Sequence, residues 1–391
     1  MKIVMLCDLY SAGLQYQENL LGKYYAKHGH AVTVLAATYN SALDYYANRY
    51  DRGDPGGESF DGQVKVIKLP YSLNILNRLR KFGGVDAILL REQPDLIFVH
   101  DIHLNLSEAA AYRRSHPACR IIMDYHADYS NSAKNWLSLA ILHKLIRKRI
   151  LYLNRQWIDR IYPVVPASAV FLHEVYGLPL EDLELLPLGA DTDLARSTRA
   201  QQAGLAARTA HGIPGDAVVV FTGGKLTPKK RTHLLVEAIR QISDPHLHLL
   251  VVGDAAPEDA AYRLRLRKLS SGDSRIHFTG WVGGEDVYRF MDACDFAVFP
   301  ASQSVLWQQA LSMGLPLIVG QVGAQDCSYL ARDGSTIALA ESDIRVEVLI
   351  REIRGFLDDR ALLRQRQTAA LRVVAEQLSY DAIVARTLRA D

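Results

Sequence analysis

Short apolar runs alternate with helical patterns in two successive series along this chain, and that alternation constrains the fold more than any other feature. In the first series Lys2–Cys7, Ala31–Ala37, Val64–Leu69, Leu96–Val99 and Ile121–Met123 read as strands. The spacing predicts a first helix over Gln17–Lys27, stopped at His28-Gly29-His30, where Gly29 supplies the left-handed position. The second series runs Val218–Phe221, helix Thr232–Ile242, Leu247–Val252, helix Asp259–Leu269, Ile276–Phe278, helix Asp286–Ala293, Phe296–Phe299, helix Val305–Met313 and Leu317–Val319. Strand and helix in strict alternation predict parallel sheets covered by helices on both faces. Two such series predict two doubly wound α/β domains, with ligands bound in a cleft at the strand C-termini. The 391 residues agree, since domains run to roughly 100–200 residues each, and a single small module is excluded. Leu186–Pro214, poor in periodic residues and rich in Gln, Ala and Arg over 199–208, reads as the linker. The last helical stretch, Ala361 to Arg389, is interrupted at Leu378-Ser379-Tyr380 and reads as a crossing back to the first domain.

Charge and composition narrow the partners. Lys+Arg 45 against Asp+Glu 43 leaves +2, with 49% hydrophobic and 23% charged residues. That is the balance of a soluble globular chain with sizeable cores; it argues against disorder and against a nucleic-acid or other polyanionic partner. Cys7, Cys119, Cys294 and Cys327 stand singly, without zinc or disulfide spacing, and read as reduced cytosolic thiols. The apolar N-terminal run turns polar at Asp8, too early for a signal peptide, and no window reaches the roughly 18–20 apolar residues of a membrane span.

Three segments carry candidate chemistry. Phe221-Thr222-Gly223-Gly224-Lys225-Leu226-Thr227-Pro228-Lys229-Lys230-Arg231 follows a strand and precedes a helix. Glycine lets backbone approach a ligand closely, and Lys225 and Lys230 set two ammonium groups near a helix N-terminus, as a diphosphate site requires; a tight turn with solvated lysines is the alternative. In Pro300–Pro316, Ser302 or Ser304 is placed to cap the helix, and Gln309, a turn inside, either meets a ribose diol or lies on the helix surface. Asp124-Tyr125-His126-Ala127-Asp128 follows a strand, so its side chains sit at a strand C-terminus. There His126 is either a functional histidine or bonded to a local carbonyl, with His100 and His103 as rivals, and Asp128 is an N-cap candidate.

Taken together, Gly-Lys-Leu-x-Pro-x-Lys at 224–230, Gly280-Trp281-Val282 and Gln-Gln-Ala-Leu-x-x-Gly-Leu-Pro at 308–316 resemble the C-terminal half of family 4 glycosyltransferases of the GT-B fold. The N-terminal half is similar as well, through Leu14-Gln15-Tyr16-Gln17-Glu18, Gly29-His30-Ala31-Val32, Pro94 to Asp101 and Leu186 to Asp193, while Leu378-Ser379-Tyr380 resembles the entry to the family's final crossing helix. The resemblance implies a domain 1–190 on the acceptor side, a nucleotide-sugar domain 191–370, and a terminal helix 371–391 packing back on the first domain.

It also implies roles. His126, Lys225 and Lys230 take the catalytic positions; Gly13, Gly224, Lys225, Lys230, Trp281, Val282, Gln303, Ser304 and Gln309 take donor-binding ones; Gln15, Glu18, Asp101 and Asp128 lie on the acceptor side. Lys225 stands where the family carries arginine, keeping the charge but losing the bidentate fork. Of the family's two donor-helix glutamates, the second position falls on Gln309, while the first has no clean counterpart behind a loop about three residues short: counting back eight lands on Ala301, and the nearest polar groups are Gln303 and Ser304. The implied reaction moves a hexosyl or N-acetylhexosaminyl group, with retention, from a nucleotide-diphosphate donor, UDP by family frequency, to a glycan or lipid-linked acceptor in polysaccharide or lipopolysaccharide assembly. The departing diphosphate helps deprotonate the acceptor on the same face, with no protein nucleophile, no cofactor and no metal, the lysines supplying the cation. The alternatives are a nucleotide-sugar epimerase or hydrolase of the same architecture, and a nucleotide-sugar-binding pseudoenzyme. A nicotinamide dehydrogenase is disfavoured, since no Gly-x-Gly-x-x-Gly follows the first strand.

Between 134 and 160 lie seven basic residues and one acid, Asp159, interleaved with Trp136, Leu137, Leu145, Leu153, Trp157 and other apolar side chains. Such a stretch either lies on an anionic membrane surface or forms a core-facing helix with a solvated basic side. The chain is accordingly expected in the cytoplasm, with the inner membrane face as a peripheral site.

Overall fold

The computed structural model describes residues 1–38, 56–301 and 303–389. The chain divides into two compact units, Met1–Pro187 with Ile383–Asp391, and Leu188–Ala382.

The first unit is built on a seven-stranded sheet of order β3-β4-β2-β1-β7-β8-β9, from β1 (Lys2–Leu6), β2 (Ala31–Ala37), β3 (Gly57–Asp61), β4 (Val64–Leu69), β7 (Leu96–His100), β8 (Arg120–Tyr125) and β9 (Arg160–Pro163). All pairings are parallel except β3 with β4. The central strands are buried on both faces, which is why they read as continuous apolar runs rather than alternating ones. Helix Gln17–Lys27 occupies the predicted span and buries Leu20, Leu21, Tyr24 and Tyr25. A separate antiparallel hairpin, β5 (Tyr71–Ile75) with β6 (Leu79–Phe82), stands outside the main sheet. Neither it nor β3 is legible as a strand in the sequence, because their residues are largely exposed and lack the apolar run that marks the others.

The second unit carries a six-stranded, all-parallel sheet of order β12-β11-β10-β13-β14-β15. Its strands are β10 (Val218–Gly223), β11 (Leu247–Val252), β12 (Ile276–Gly280), β13 (Phe296–Phe299), β14 (Leu317–Gly320) and β15 (Thr336–Leu339). Two apolar clusters flank it, one around Phe221, Tyr288 and Trp307, the other around Leu235, Leu249 and Ile353.

The expected linker is corrected. Within Leu186–Pro214 the chain forms two helices, Thr192–Ala200 and Ala203–Ala210, which bury Ala195 and Ala207 in the second unit's core. Small alanines let the helix approach so closely that a Cβ on Gly204 would lie 2.3 Å from the backbone of Asp292. The apolar periodicity is weak because the packing surface is built from Ala and Gly. At the other end the long helical stretch breaks where expected: Val374–Leu378 is a π-helical turn, Ser379 is extended, and Tyr380–Leu388 resumes. The chain returns to the first unit at Ile383, where Thr387 Oγ1 meets buried Tyr25 Oη at 2.6 Å and Arg120 donates to Leu388 O.

In both sheets the chain reverses its direction of growth beside the first strand, between β1 and β7 and between β10 and β13. Strand C-termini on either side of such a switch point diverge and leave room for a ligand.

Candidate functional site

Beside the first switch point, β7 and its outer neighbour β8 end side by side with His100 in register opposite Asp124. Residues two apart on a strand share a face, so Asp124 and His126 project together. Asp124 is fully buried, and its Oδ2 accepts from both histidines, His126 Nε2 at 2.9 Å and His100 Nδ1 at 3.2 Å. The other oxygen, Oδ1, accepts the N–H of Asp101, a residue in the left-handed region at φ 60°. Asp101 Oδ1 in turn accepts the N–H of His126 at 2.9 Å. The two imidazole rings lie 4.4 Å apart.

Burial disfavours charge on both partners of this pair, but mutual attraction outweighs it. His100 is pushed up to about 10 by the charge and hydrogen bond of Asp124, and Asp124 is held well below the usual carboxylate range by His100 and His126. The ionised carboxylate can only accept, so His126 carries hydrogen on Nε2. Burial raises Glu18, against the opposing charge of His100. A second cluster lies on Asp8, just past β1, which accepts from Arg80 and pairs with His103 at 3.2 Å. His100, Asp124 and His126 offer ligand atoms all within 4.8 Å of one another, a set able to chelate a transition metal.

Of the other residues expected here, Gly13 has φ +74° and donates its N–H to Asp61 Oδ2 at 3.3 Å. Gln15 is half-buried, before the first helix. Asp128 is not a helix N-cap. Its carboxylate accepts from the N–H groups of Ser130 and Asn131, closing an Asx turn, and the next helical stretch starts several residues later.

At the second switch point the loop after β10 is pressed against the end of β11. Gly224 (φ +98°) donates to Val252 O at 2.8 Å, and a Cβ on Gly253 (φ +126°) would lie 2.2 Å from Gly224 O. Only glycine fits at Gly253, because no backbone atom there can yield. Lys230 folds back over this loop, its Nζ 3.5 Å from Gly223 O. Burial lowers its pKa, and among the described residues it has no carboxylate partner. Lys225 differs: it is exposed and paired with Glu258 at 2.8 Å, which raises it.

Past β13, the loop leads into helix Leu306–Ser312, where Ser304 Oγ accepts from Leu306 N at 3.3 Å. Ser302, the other capping candidate, lies outside the described residues. Gln309 is buried with its Oε1 unpaired, so it is not a surface amide. Gln303 is half-buried, Val282 packs on the core and Trp281 is exposed. Sequence reading passed over Asp124, Asp8, Gly253 and Glu258. Asp124 was findable from its two-residue spacing to His126; Gly253 was not, since its need for glycine arises from a contact with another strand's loop.

Two doubly wound units of this kind define the GT-B class of fold. HepE of Anabaena, crystallised with UDP, has the same fold at TM-score 0.68 and 16% identity, over 99% of this chain and 98% of that one. Residues 19–194 match the family described as Glycosyltransferase Family 4, and 216–359 that described as Glycosyl transferases group 1. The chain belongs to the family 4 glycosyltransferases. Among curated relatives, two lipopolysaccharide core biosynthesis glycosyltransferases of Rhizobium meliloti are similar: LpsE at 26% identity over 173 residues, 44% of this chain and 48% of that protein, and LpsD at 30% over 181, 45% and 49%. The chain spans about half the length of the curated relatives it matches.

Proposed function

We propose that this protein transfers a hexosyl or N-acetylhexosaminyl group, with retention, from a nucleoside-diphosphate donor, UDP foremost, to a glycan or lipid-linked acceptor. The observation that carries the reading is Lys230, a desolvated ammonium without a carboxylate partner among the described residues, folded over backbone that only glycine allows. Such a group needs an anion, and a diphosphate lying on the Gly223–Gly224 backbone supplies one. The UDP and UDP-glucose complexes of HepE and the names of the Rhizobium relatives support the donor class and an assembly role in lipopolysaccharide.

In this reading Lys230, and to a lesser degree Lys225, stabilise charge gathering on the leaving diphosphate, so no metal is required. Gln309 uses its unpaired carbonyl to accept from a ribose hydroxyl, more weakly than a carboxylate. His126 hydrogen-bonds the donor sugar through Nδ1, oriented by Asp124. Gln15, Glu18, Asp101 and Asp128 border the acceptor side, and the basic stretch 134–160 touches an anionic membrane from the cytoplasmic face.

Thermal-shift titration with UDP, GDP, ADP, TDP and CDP tests the reading beside Lys230→Ala and His126→Ala. One diphosphate is expected to stabilise the wild type, by about 2.7 kcal/mol at a hundred times its Kd. It should fail on Lys230→Ala and still bind His126→Ala, whose transfer activity is lost. Undiminished binding and transfer by Lys230→Ala would remove the basis of the assignment.

A further inference from the structure

Two ligand atoms that each lie about 2.1 Å from one ion, at an angle of about 90–110°, stand roughly 3.0–3.4 Å apart. Asp124 Oδ2 lies 2.9 Å from His126 Nε2 and 3.2 Å from His100 Nδ1, and one ligand atom from each of the three residues falls within 4.8 Å of the others. A carboxylate oxygen and two imidazole nitrogens are therefore spaced as neighbours in one coordination shell. An ion seated among them takes the place of the hydrogens that now bridge them.

The surroundings hold this spacing. His100 closes β7, Asp124 lies in the last turn of the ladder on β8, and His126 follows it. Asp124 is fully buried, its Oδ1 accepting the N–H of Asp101, and Asp101 Oδ1 accepts the N–H of His126 at 2.9 Å. Hydrogen bonds behind a ligand fix its orientation before the ion arrives. The two histidines keep 22% and 25% of their side chains exposed, so an ion reaches them from solvent. Asp101 and Glu18 add their charge to that of Asp124 around His100, a field that attracts a dication.

Ligand chemistry selects the ion. Imidazole nitrogen suits Zn2+, Ni2+ and Cu2+, whereas Mg2+ and Ca2+ call for oxygen ligands. The other histidine cluster of the chain offers less: His248 Nδ1 meets His277 Nε2 at 3.0 Å, and the His211 ring lies 5.8 Å from that of His277. Among the described residues only His100, Asp124 and His126 bring three ligand atoms together.

We infer that His100, Asp124 and His126 bind one divalent transition-metal ion, Zn2+ foremost, and that the bound ion inhibits transfer. The inhibition rests on the function proposed above. Each ligating nitrogen gives up its hydrogen, that of His100 to solvent and that of His126 to its own Nδ1. The nitrogen offered to the donor sugar as an acceptor then becomes a donor, and the hydrogen bond by which Asp124 orients the ring is gone. Lys230 and the glycine loop belong to the second unit and supply no ligand, so nucleotide binding is left intact.

The full chain, free of any histidine tag and stripped with EDTA, is titrated calorimetrically with the chlorides of zinc, nickel, magnesium and calcium. One Zn2+ per chain is expected, with Ni2+ binding as well and no heat from Mg2+ or Ca2+. Loss of a hydrogen-bond partner behind a ligand costs roughly 10–100-fold in metal affinity, so loss of a ligand, in His100→Asn or His126→Ala, should weaken Zn2+ at least about a hundredfold. His248→Gln should bind as the wild type does. Co2+ titrated into the wild type adds a readout that needs no variant: visible ligand-field bands that Zn2+ abolishes at one equivalent. Absence of Zn2+ binding, binding undiminished in both triad variants, or binding lost in His248→Gln overturns the site, and full transfer by the zinc-loaded chain overturns the inhibition. A UDP thermal shift on the stripped chain separates the claims: Zn2+ binding without a nucleotide response strikes the donor reading alone, and a nucleotide response without Zn2+ binding strikes the metal site alone.

Discussion

Removing the charge of His100 tests the electrostatic core of the first unit. His100 is pushed up to about 10 from an ordinary 6.5, so it is protonated in the folded chain across neutral pH and neutral in the unfolded chain above 6.5. The folded state binds the extra proton. The stabilisation is complete below 6.5 and is lost as pH rises through 10. The gap, at about 1.4 kcal/mol per pH unit, sets a ceiling of roughly 5 kcal/mol. About a fifth of the His100 side chain faces solvent, 22%, and Asp124 divides its charge with His126, so a contribution on the order of 2–3 kcal/mol is expected. Asn in its place retains a donor toward Asp124 without the charge. Urea unfolding of wild type and His100→Asn at pH 6, 8 and 10 gives the difference directly, since lysines and cysteines titrate alike in both. Wild type should lead at pH 6 and lose that lead by pH 10. Parallel stability curves for the two proteins across this range would refute the ion pair as described.

Two further predictions concern other parts of the chain. Gly253→Ala forces a left-handed alanine against Gly224 O at 2.2 Å, adding strain and overpacking of about 1–3 kcal/mol each. Calorimetry should show the melting temperature lowered by roughly 5–15 °C, with diphosphate affinity reduced because the Gly224 loop shifts. On the acid side, burial and then Arg147 bring His143 down to about 4, so the unfolded chain takes up its proton first and stability falls between pH 6.5 and 4. His143→Gln should flatten that limb by about 1–3 kcal/mol, measured by urea unfolding at pH 4.5 and 7; an unchanged slope removes His143 as its cause.

Much of this architecture is legible in the sequence. Ala31–Ala37, Val64–Leu69, Leu247–Val252 and Phe296–Phe299 form strands over the spans their apolar runs predict, and Gln17–Lys27 forms its helix. Buried parallel strands must be apolar throughout, so they declare themselves; the helices between them are bounded by glycine and by periodicity. The glycine loop with Lys230 was legible for the same reason, being local in sequence. The hairpin 71–82, the paired helices 192–210 and the Asx turn at Asp128 were not, because exposed strands, alanine-built packing and a short carboxylate turn leave no apolar period.

The sequence by itself determined two doubly wound halves, their switch-point loops and the presence of Lys225, Lys230, His126 and Gln309 on them, since period and spacing are properties of neighbouring residues. Tertiary structure decided which of these groups differ in kind. It half-buries Lys230 while pairing exposed Lys225 with Glu258, seats Gly253 on Gly224, and gives one carboxylate, Asp124, two histidines from two strands. Burial and electrostatic pairing depend on what lies across space, and residues far apart in the chain meet only when the sheet sets their strands side by side.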